Sequence, residues 1–120
     1  MKSLVVLLGF LLVSCAGLPR DHRAILAGEW LYSDASQSCR YNFAKDGTFS
    51  GEVKANGESV SRFRGRWAVE GDALLYEYTG DALGRIPPGT RDRDKLLKTA
   101  QTEFVIEAND ASQRTYRRVR

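Results

Sequence analysis

Three arginines alternate with other residues along one short stretch of the sequence, at Arg62, Arg64 and Arg66. If this stretch is a β-strand, alternate side chains point to one side of the sheet and recur about every 6.7 Å. Guanidinium groups donate paired hydrogen bonds to phosphates and carboxylates. The spacing therefore predicts a candidate anion-binding surface for lipid phosphates or acidic glycans. The alternative is a solvated strand face that only discourages aggregation.

Two cysteines, Cys15 and Cys39, are the other residues with distinctive chemistry. Cys15 follows an apolar run at residues 4–13, and Lys2 gives the segment a positive start. The run is too short to span a bilayer, which takes about 20 residues. A positive start, a short apolar run and small residues at its end are typical of a secretory signal. The sequence therefore predicts export of the chain.

The end of the apolar run, Leu12-Val13-Ser14-Cys15, resembles the lipobox of bacterial lipoproteins. The resemblance implies that residues 1–14 are a signal peptide and that Cys15 becomes the new N-terminus. It also implies a diacylglyceryl group on the thiol and an acyl chain, such as palmitate, on the amino group. Several acyl chains hold a protein on a membrane, whereas one does so only marginally. An ordinary secretory signal that happens to contain a cysteine is the alternative.

The residues that follow Cys15 indicate where the anchor would place the domain. Residue 16 is alanine, not aspartate. By resemblance to lipoprotein sorting in Gram-negative bacteria, this implies the outer membrane, with the domain facing the periplasm. Residues 15–27 are predicted to be the lipidated cysteine and a tether, because they mix proline, glycine and charges. The single histidine, His22, lies in this tether and is assigned no role.

Short alternating runs separated by glycine turns begin after residue 27. They predict an all-β domain at residues 28–120, an antiparallel up-and-down meander that forms a small barrel or a half-open barrel. Cys39 has the same parity as Tyr41 and Phe43, so we expect it to be buried as a small apolar residue. An intermolecular disulfide is the alternative.

Turn residues predict how the strands pair. A three-residue loop at 45–47 places Phe43 opposite Phe49, and one at 55–57 places Phe49 opposite Phe63. These pairings keep all three rings on one face. A two-residue loop at 70–71 extends the face, with the following predicted neighbours: Trp67 opposite Leu74, Arg64 opposite Thr48 and Glu77, and Arg62 opposite Ser50 and Thr79.

Residues 80–99 are less regular, with two prolines, several glycines and an alternating run of charges. We expect a long loop here, with a short strand near Ile86 or a helical turn at residues 94–98. Two further strands, around Phe104 and Tyr116, are predicted to end the domain.

Four motifs resemble those of small bacterial lipocalin-like domains, and the resemblance covers about residues 28–120. It implies a barrel that encloses one small apolar or amphiphilic ligand, or one that its own side chains fill. The motifs are Gly28-Glu29-Trp30, the F-x-x-DGTF hairpin at 43–49, the G-x-W-x-V-x-GD-x-L pair at 65–74 and Y-x-R-V at 116–119.

Large aromatic residues dominate the predicted inner face. They line a ligand pocket if the barrel is open and form the core if it is filled. Three tyrosines among them could act as polar handles for a ligand, because a buried phenol needs a hydrogen-bond partner. The candidates are Tyr41, Phe43, Phe49, Phe63, Trp67, Tyr76 and Tyr78.

Nothing in the sequence indicates catalysis, a cofactor or a metal site. The β domain has no histidine, nucleophile elbow or phosphate loop. The carboxylates of Asp72, Glu77 and Glu103 could meet in space but are isolated in the sequence. A formal net charge of +3 over 120 residues is too small to predict nucleic acid as the partner.

Two functions therefore stay open for a membrane-anchored, non-enzymatic protein. The domain could bind a small apolar or amphiphilic ligand inside the barrel. It could instead be an interaction or inhibitor-type protein that contacts an envelope partner through its outer surface. A cavity in the barrel would favour the first function, and a filled interior would favour the second.

The Cys15→Ala substitution is expected to abolish lipid attachment, because the thiol that carries the diacylglyceryl group is lost. The chain should leave the membrane fraction or remain as an uncleaved precursor. Labelling cells with a radioactive fatty acid measures the attachment. Undiminished incorporation in the variant would contradict the lipobox interpretation.

Overall fold

The computed structural model describes residues 22–120, in which eight antiparallel strands form a closed barrel in sequential order. A short helix, α1 (His22–Leu26), precedes the barrel. The predicted all-β up-and-down meander is confirmed, and the barrel closes because the last strand pairs with the first. The strands are β1 (Gly28–Ser33), β2 (Gln37–Phe43), β3 (Thr48–Ala55), β4 (Glu58–Glu70), β5 (Ala73–Asp81), β6 (Arg91–Thr99), β7 (Glu103–Glu107) and β8 (Gln113–Arg118).

Strand β2 shows how the alternating pattern of residues separates the inner face of the barrel from its outer face. Cys39, Tyr41 and Phe43 are buried, whereas Arg40 and Asn42 between them are exposed. Successive side chains of a strand point to opposite faces of the sheet. The inner face of the barrel therefore receives the apolar residues, and the outer face receives the polar ones.

The turn between β2 and β3 has the predicted form. Phe43 lies opposite Phe49, and Gly47, the third residue of the loop, has a φ of 94°. Glycine adopts this left-handed conformation without the steric cost of a side chain. The turn therefore keeps both rings on the inner face.

The turn between β3 and β4 differs from the predicted three-residue loop. Asn56 and Gly57, with φ values of 52° and 84°, form a two-residue turn, and Asn-Gly is a favoured pair in such turns. A bulge close to the turn shifts the pairing, so Phe49 lies opposite Gly65 rather than opposite Phe63. The bulge keeps the apolar residues of both strands on the inner face.

The turn between β4 and β5 also differs from its predicted position. It lies at Gly71 and Asp72, and Gly71 has a φ of 60°. Trp67 therefore lies opposite Tyr76 rather than opposite Leu74. The pairing moves by two residues, an even number, so each side chain stays on its predicted face.

Residues 91–99 form strand β6, which corrects the prediction of a loop or a helical turn. Leu96 is the one buried residue of β6, and most of its other residues are exposed. Backbone pairing with β5 and β7 holds the strand in place. A strand that is held mainly by backbone pairing needs few apolar residues, so its sequence lacks a clear hydrophobic pattern. The irregular loop is limited to residues 82–90.

Helix α1 covers one end of the barrel. Leu26 and Trp30 are fully buried, and the Trp30 indole N–H donates to the Leu26 carbonyl at 2.8 Å. The Arg118 guanidinium lies 4.2 Å from the centroid of the Trp30 ring and donates to the carbonyls of Ile25 and Ala27. Residues 22–27 therefore belong to the folded domain, and the tether predicted for residues 15–27 extends too far.

Two glycines on the inner face make room for aromatic rings. Gly51 lies between Tyr41 and Phe63 on the neighbouring strands, and a methyl group added to it would overlap the Phe63 ring. A methyl group at Gly65 would approach the Phe49 ring in the same way. The core and the closed sheet lie entirely within the described residues, so this part of the chain folds as one unit.

The Gly51→Ala substitution is expected to lower the free energy of unfolding of residues 22–120 by about 1–3 kcal/mol. The added methyl group would displace the Phe63 ring and crowd the Arg40 carbonyl. Denaturant unfolding measures the change. Ser50→Ala, on the outer face of the same strand, is the matched control and should change the free energy by less than about 0.5 kcal/mol. Equal stability of the two variants would contradict the packing described.

Candidate functional site

The structure places the candidate ligand-lining residues inside the barrel, as their alternation predicts. None of the seven is more than 7% exposed, so their side chains form the core. These residues are Tyr41, Phe43, Phe49, Phe63, Trp67, Tyr76 and Tyr78.

Tyr41 lies at the centre of the interior. Ring centroids 4.5–7 Å apart are in direct contact. The rings around Tyr41 therefore occupy the space that a ligand would need. Its ring centroid lies between 5.1 and 6.1 Å from the centroids of Phe43, Phe49, Phe63, Tyr76 and Tyr116.

The polar atoms between these rings have partners within the barrel. The Tyr76 hydroxyl donates to Asp94 Oδ2 at 2.9 Å, and the Trp67 indole N–H donates to the Ala44 carbonyl at 2.9 Å. Across residues 22–120, no buried side-chain nitrogen or oxygen lacks a hydrogen-bond partner. The barrel interior therefore satisfies its own polar groups without a ligand.

Burial raises the pKa values of the ionisable groups inside the barrel. Loss of hydration raises the pKa of the Cys39 thiol to about 11 and that of the Tyr78 phenol to about 12. For the same reason the pKa values of Tyr41, Tyr76 and Tyr116 are well above their usual range. Cys39 is free and buried, as predicted. It is a core residue rather than a reactive thiol, because the thiolate is the nucleophile.

The loop at residues 82–90 is fixed to the barrel end opposite α1. The Asp81 carboxylate accepts hydrogen bonds from the backbone N–H groups of Leu83 at 2.9 Å and Ile86 at 3.1 Å, and from the Ser61 hydroxyl at 2.5 Å. Burial opposes ionisation of Asp81, but these hydrogen bonds lower its pKa to about 2. Ile86 packs against the core, so this end of the barrel is also covered.

An open groove of about 610 Å³ lies on the outer surface. Arg40 and Arg120 both donate to Glu29, at 2.6 and 3.1 Å, and Arg62 donates to Glu52 at 3.1 Å. The hydrogen bond from Arg120 is the main reason that the pKa of Glu29 lies below its usual value. Three of the arginines in this groove are therefore engaged by carboxylates.

A second concavity, of about 410 Å³, shares Asn42, Ser50 and Arg64 with the first. Its lining includes Arg66, Asn42 and Ser50, and no lining residue carries a carboxylate. Within the part of the chain that the structure describes, neither Arg64 nor Arg66 forms an ion pair. Both arginines of this concavity are therefore free of carboxylates, whereas the other three arginines of the first groove are engaged by them.

The neighbours of Arg64 differ from those that the sequence predicts. Arg64 lies opposite Ser50 on β3 and Gly80 on β5, rather than opposite Thr48 and Glu77. At Arg64 the predicted register is wrong by two residues on β3 and by three residues on β5. On β3, the two-residue turn and the bulge beside it cause the difference. On β5, the later position of the β4–β5 turn and a second bulge, between Arg64 and Gly65, cause it.

The neighbours of Arg62 differ as well. Arg62 lies opposite Glu52, which it binds, rather than opposite Ser50 and Thr79. The sequence alone does not single out Asn42 and Ser50, because the register that brings them beside Arg64 depends on the bulge. The structure thus brings Arg64 and Arg66 together at one concavity and engages Arg62 elsewhere.

Comparison with known proteins establishes the fold. The chain is similar to a lipocalin-like protein from Bacteroides uniformis, whose crystal structure superposes with a TM-score of 0.56 at 20% sequence identity. The similarity covers 78% of this chain and 98% of that protein. The domain is therefore a lipocalin-like β-barrel, as the sequence motifs predict. Neither a family model nor a curated protein matches the sequence.

Cys15, the predicted lipidation site, and the signal peptide before it lie outside the described residues. Between residues 22 and 120, no helix is long and apolar enough to cross a membrane. In the same part of the chain, no three His, Cys, Asp or Glu side chains are grouped so that they could hold a metal ion.

All five tyrosines of the chain have raised pKa values. In the folded protein we expect the near-ultraviolet absorbance of tyrosinate to rise only above pH 10, whereas unfolded chains should ionise near pH 10. The folded state then retains protons that the unfolded state releases, so the free energy of unfolding falls as the pH rises above about 9. Titrations with and without denaturant test this, and coincident curves would contradict burial of the phenols.

Proposed function

We propose that this protein is a lipid-anchored, non-enzymatic binding protein of the bacterial cell envelope that acts through the outer surface of its barrel. The observation that carries the proposal is the filled interior, where five rings lie within 6.1 Å of the Tyr41 ring. Side chains alone can fill a barrel of about eight strands. The barrel then serves as a rigid support for its outer face.

The anchor is the part of the proposal that rests on the sequence. Cys15 lies seven residues before His22, where helix α1 begins. Acyl chains at Cys15 would hold the barrel at the outer membrane on its periplasmic side. Because α1 packs over one end of the barrel, the tether would join the domain at that end.

The pairing of the acidic residues supports a non-enzymatic role. Glu77 lies 3.8 Å from Arg91, and Glu103 lies 3.0 Å from Lys98. A general acid and a general base would need to face one reacting group. These two carboxylates instead face separate cations on the surface.

Capture of a small apolar or amphiphilic ligand inside the barrel is the second candidate function. The lipocalin-like fold favours it, because barrels of this size can also hold one small ligand. It requires that the rings around Tyr41 move apart to make room. Binding of a neutral apolar probe therefore distinguishes the two functions.

The probe N-phenyl-1-naphthylamine, which is neutral and fluoresces in apolar sites, tests this on residues 22–120. The parent domain is expected to give no saturable fluorescence. Tyr41→Ala should bind the probe, because it removes the central ring and leaves a cavity at a cost of about 3–5 kcal/mol. Tyr41→Leu is the milder variant if the first unfolds.

These variants also show that the assay can detect an internal site. Stoichiometric binding of the probe by the parent domain, displaced by a fatty acid, would contradict the proposed function. It would establish ligand capture in the barrel instead.

A further inference from the structure

Four side chains on the outer face carry hydrogen-bond donors that no other group in residues 22–120 uses. The side chains of Asn42, Ser50, Arg64 and Arg66 make no hydrogen bond or ion pair there, and we call them the outer donor row. Asn42, Ser50 and Arg64 follow one another directly across β2, β3 and β4, and Arg66 is the next outward residue of β4. All four residues line the concavity of about 410 Å³.

The position of Arg64 depends on a glycine in the neighbouring strand. A methyl group built on Gly80 would lie 3.1 Å from Nη2 and 3.2 Å from Cζ of Arg64. The guanidinium therefore lies close against the backbone of β5, in space that a side chain would take. A group that is already ordered loses less conformational entropy when it binds a ligand.

The charges around the outer donor row favour an anion. Glu77 lies opposite Arg66, but its carboxylate faces Arg91 at 3.8 Å and does not line this concavity. Glu29 and Glu52 lie beside the row in the first groove, where Arg40 and Arg120 engage Glu29 and Arg62 engages Glu52. Alternate side chains of β4 recur about every 6.7 Å. One oxyanion that accepts hydrogen bonds of about 2.8 Å from each guanidinium fits between the two arginines.

The proposed anchor decides which oxyanion is within reach. The Arg23 guanidinium of α1 lies 5.5 Å from the Trp67 ring, beside Arg66 in the sequence, and donates to the Lys45 carbonyl at 3.2 Å. Helix α1 therefore packs at the barrel end formed by the β2–β3 turn, close to which Arg66 lies opposite Thr48. Seven residues of chain span at most about 25 Å, so a barrel anchored at Cys15 stays close to the phosphates of its own membrane.

We propose that the outer donor row is a binding site for the phosphate groups of anionic membrane lipids. This inference rests on the proposed function and names the chemical group that the outer face binds. Arg64 and Arg66 hold the phosphate between them, and Ser50 and Asn42 donate to its remaining oxygens. Bound in this way, the barrel lies on the membrane at a fixed orientation instead of moving freely on its tether.

Binding of residues 22–120 to lipid vesicles tests the site. The vesicles contain phosphatidylcholine with one third phosphatidylglycerol, and vesicles of phosphatidylcholine alone serve as the reference. The double variant Arg64→Gln/Arg66→Gln is expected to bind the anionic vesicles about thirtyfold more weakly than the parent. The matched control is Arg93→Gln/Lys95→Gln, which removes two alternate exposed cations from β6 and should bind within about threefold of the parent.

Two further variants separate a phosphate site from general attraction to negative charge. Arg64→Lys/Arg66→Lys keeps both charges but loses the paired donors, so we expect a loss of about tenfold. Asn42→Ala/Ser50→Ala keeps every charge and should weaken binding about fivefold. Lysine variants that bind as tightly as the parent, or equal losses in the two glutamine variants, would overturn the proposal.

Free inorganic phosphate identifies the source of the bound group. Millimolar phosphate should leave binding to the anionic vesicles nearly unchanged at constant ionic strength. Complete displacement at micromolar phosphate would overturn a lipid site in favour of a soluble phosphate compound. A parent domain that binds no anionic vesicle would also overturn the inference. The proposed function is tested separately, by entry of the apolar probe into the parent barrel and by fatty-acid labelling of the Cys15→Ala variant.

Discussion

The ring of Tyr41 at the centre of the barrel is the constraint on which the rest of the structure depends. Its distances of 5.1 Å to Phe43 and 5.5 Å to Phe63 leave space for neither a ligand nor water between the rings. Interiors packed to this density respond to the change of even one methyl group. A larger residue would therefore not fit at position 51. Gly51 lies between Tyr41 and Phe63 on the neighbouring strands, and a methyl group added to it would overlap the Phe63 ring. The aromatic residues thus determine the shape of the barrel as well as its stability.

Because side chains fill the interior of the barrel, the groups that can bind a partner lie on its outer face. At the end covered by α1, the Arg118 guanidinium stacks on the Trp30 ring at 4.2 Å. It also donates hydrogen bonds to the carbonyls of Ile25 and Ala27, which hold α1 against the barrel. At the other end, Asp81 fixes the loop at residues 82–90. The sheet has no free edge, so the exposed side chains are the groups available to a partner. Arg64 and Arg66 stand out among them because they share one concavity whose lining residues carry no carboxylate.

Local patterns in the sequence predict the faces of the strands but not their registers. Cys39 is buried as its parity predicts, because alternation is a property of each strand alone. The neighbours of Arg64 are not predictable in this way, since the two-residue turn at Asn56 and the bulge beside it together move the pairing by two residues. The sequence does not predict strand β6, because Leu96 is its one buried residue and the strand therefore lacks an alternating apolar pattern. The sequence does not predict helix α1, because its five residues are held by contacts with distant parts of the barrel.

Nuclear magnetic resonance with a short-chain anionic lipid directly tests whether the protein binds on its outer face rather than inside the barrel. One titration reports on the inside and the outside of the barrel together. The lipid is dihexanoyl phosphatidylglycerol, added to isotope-labelled residues 22–120. If the outer donor row binds the lipid phosphate, the chemical shifts of Asn42, Ser50, Arg64 and Arg66 change and the interior signal of Tyr41 does not. Changes centred on Tyr41, with the outer face unaffected, would contradict binding on the outer face and show that the barrel opens to take the lipid inside.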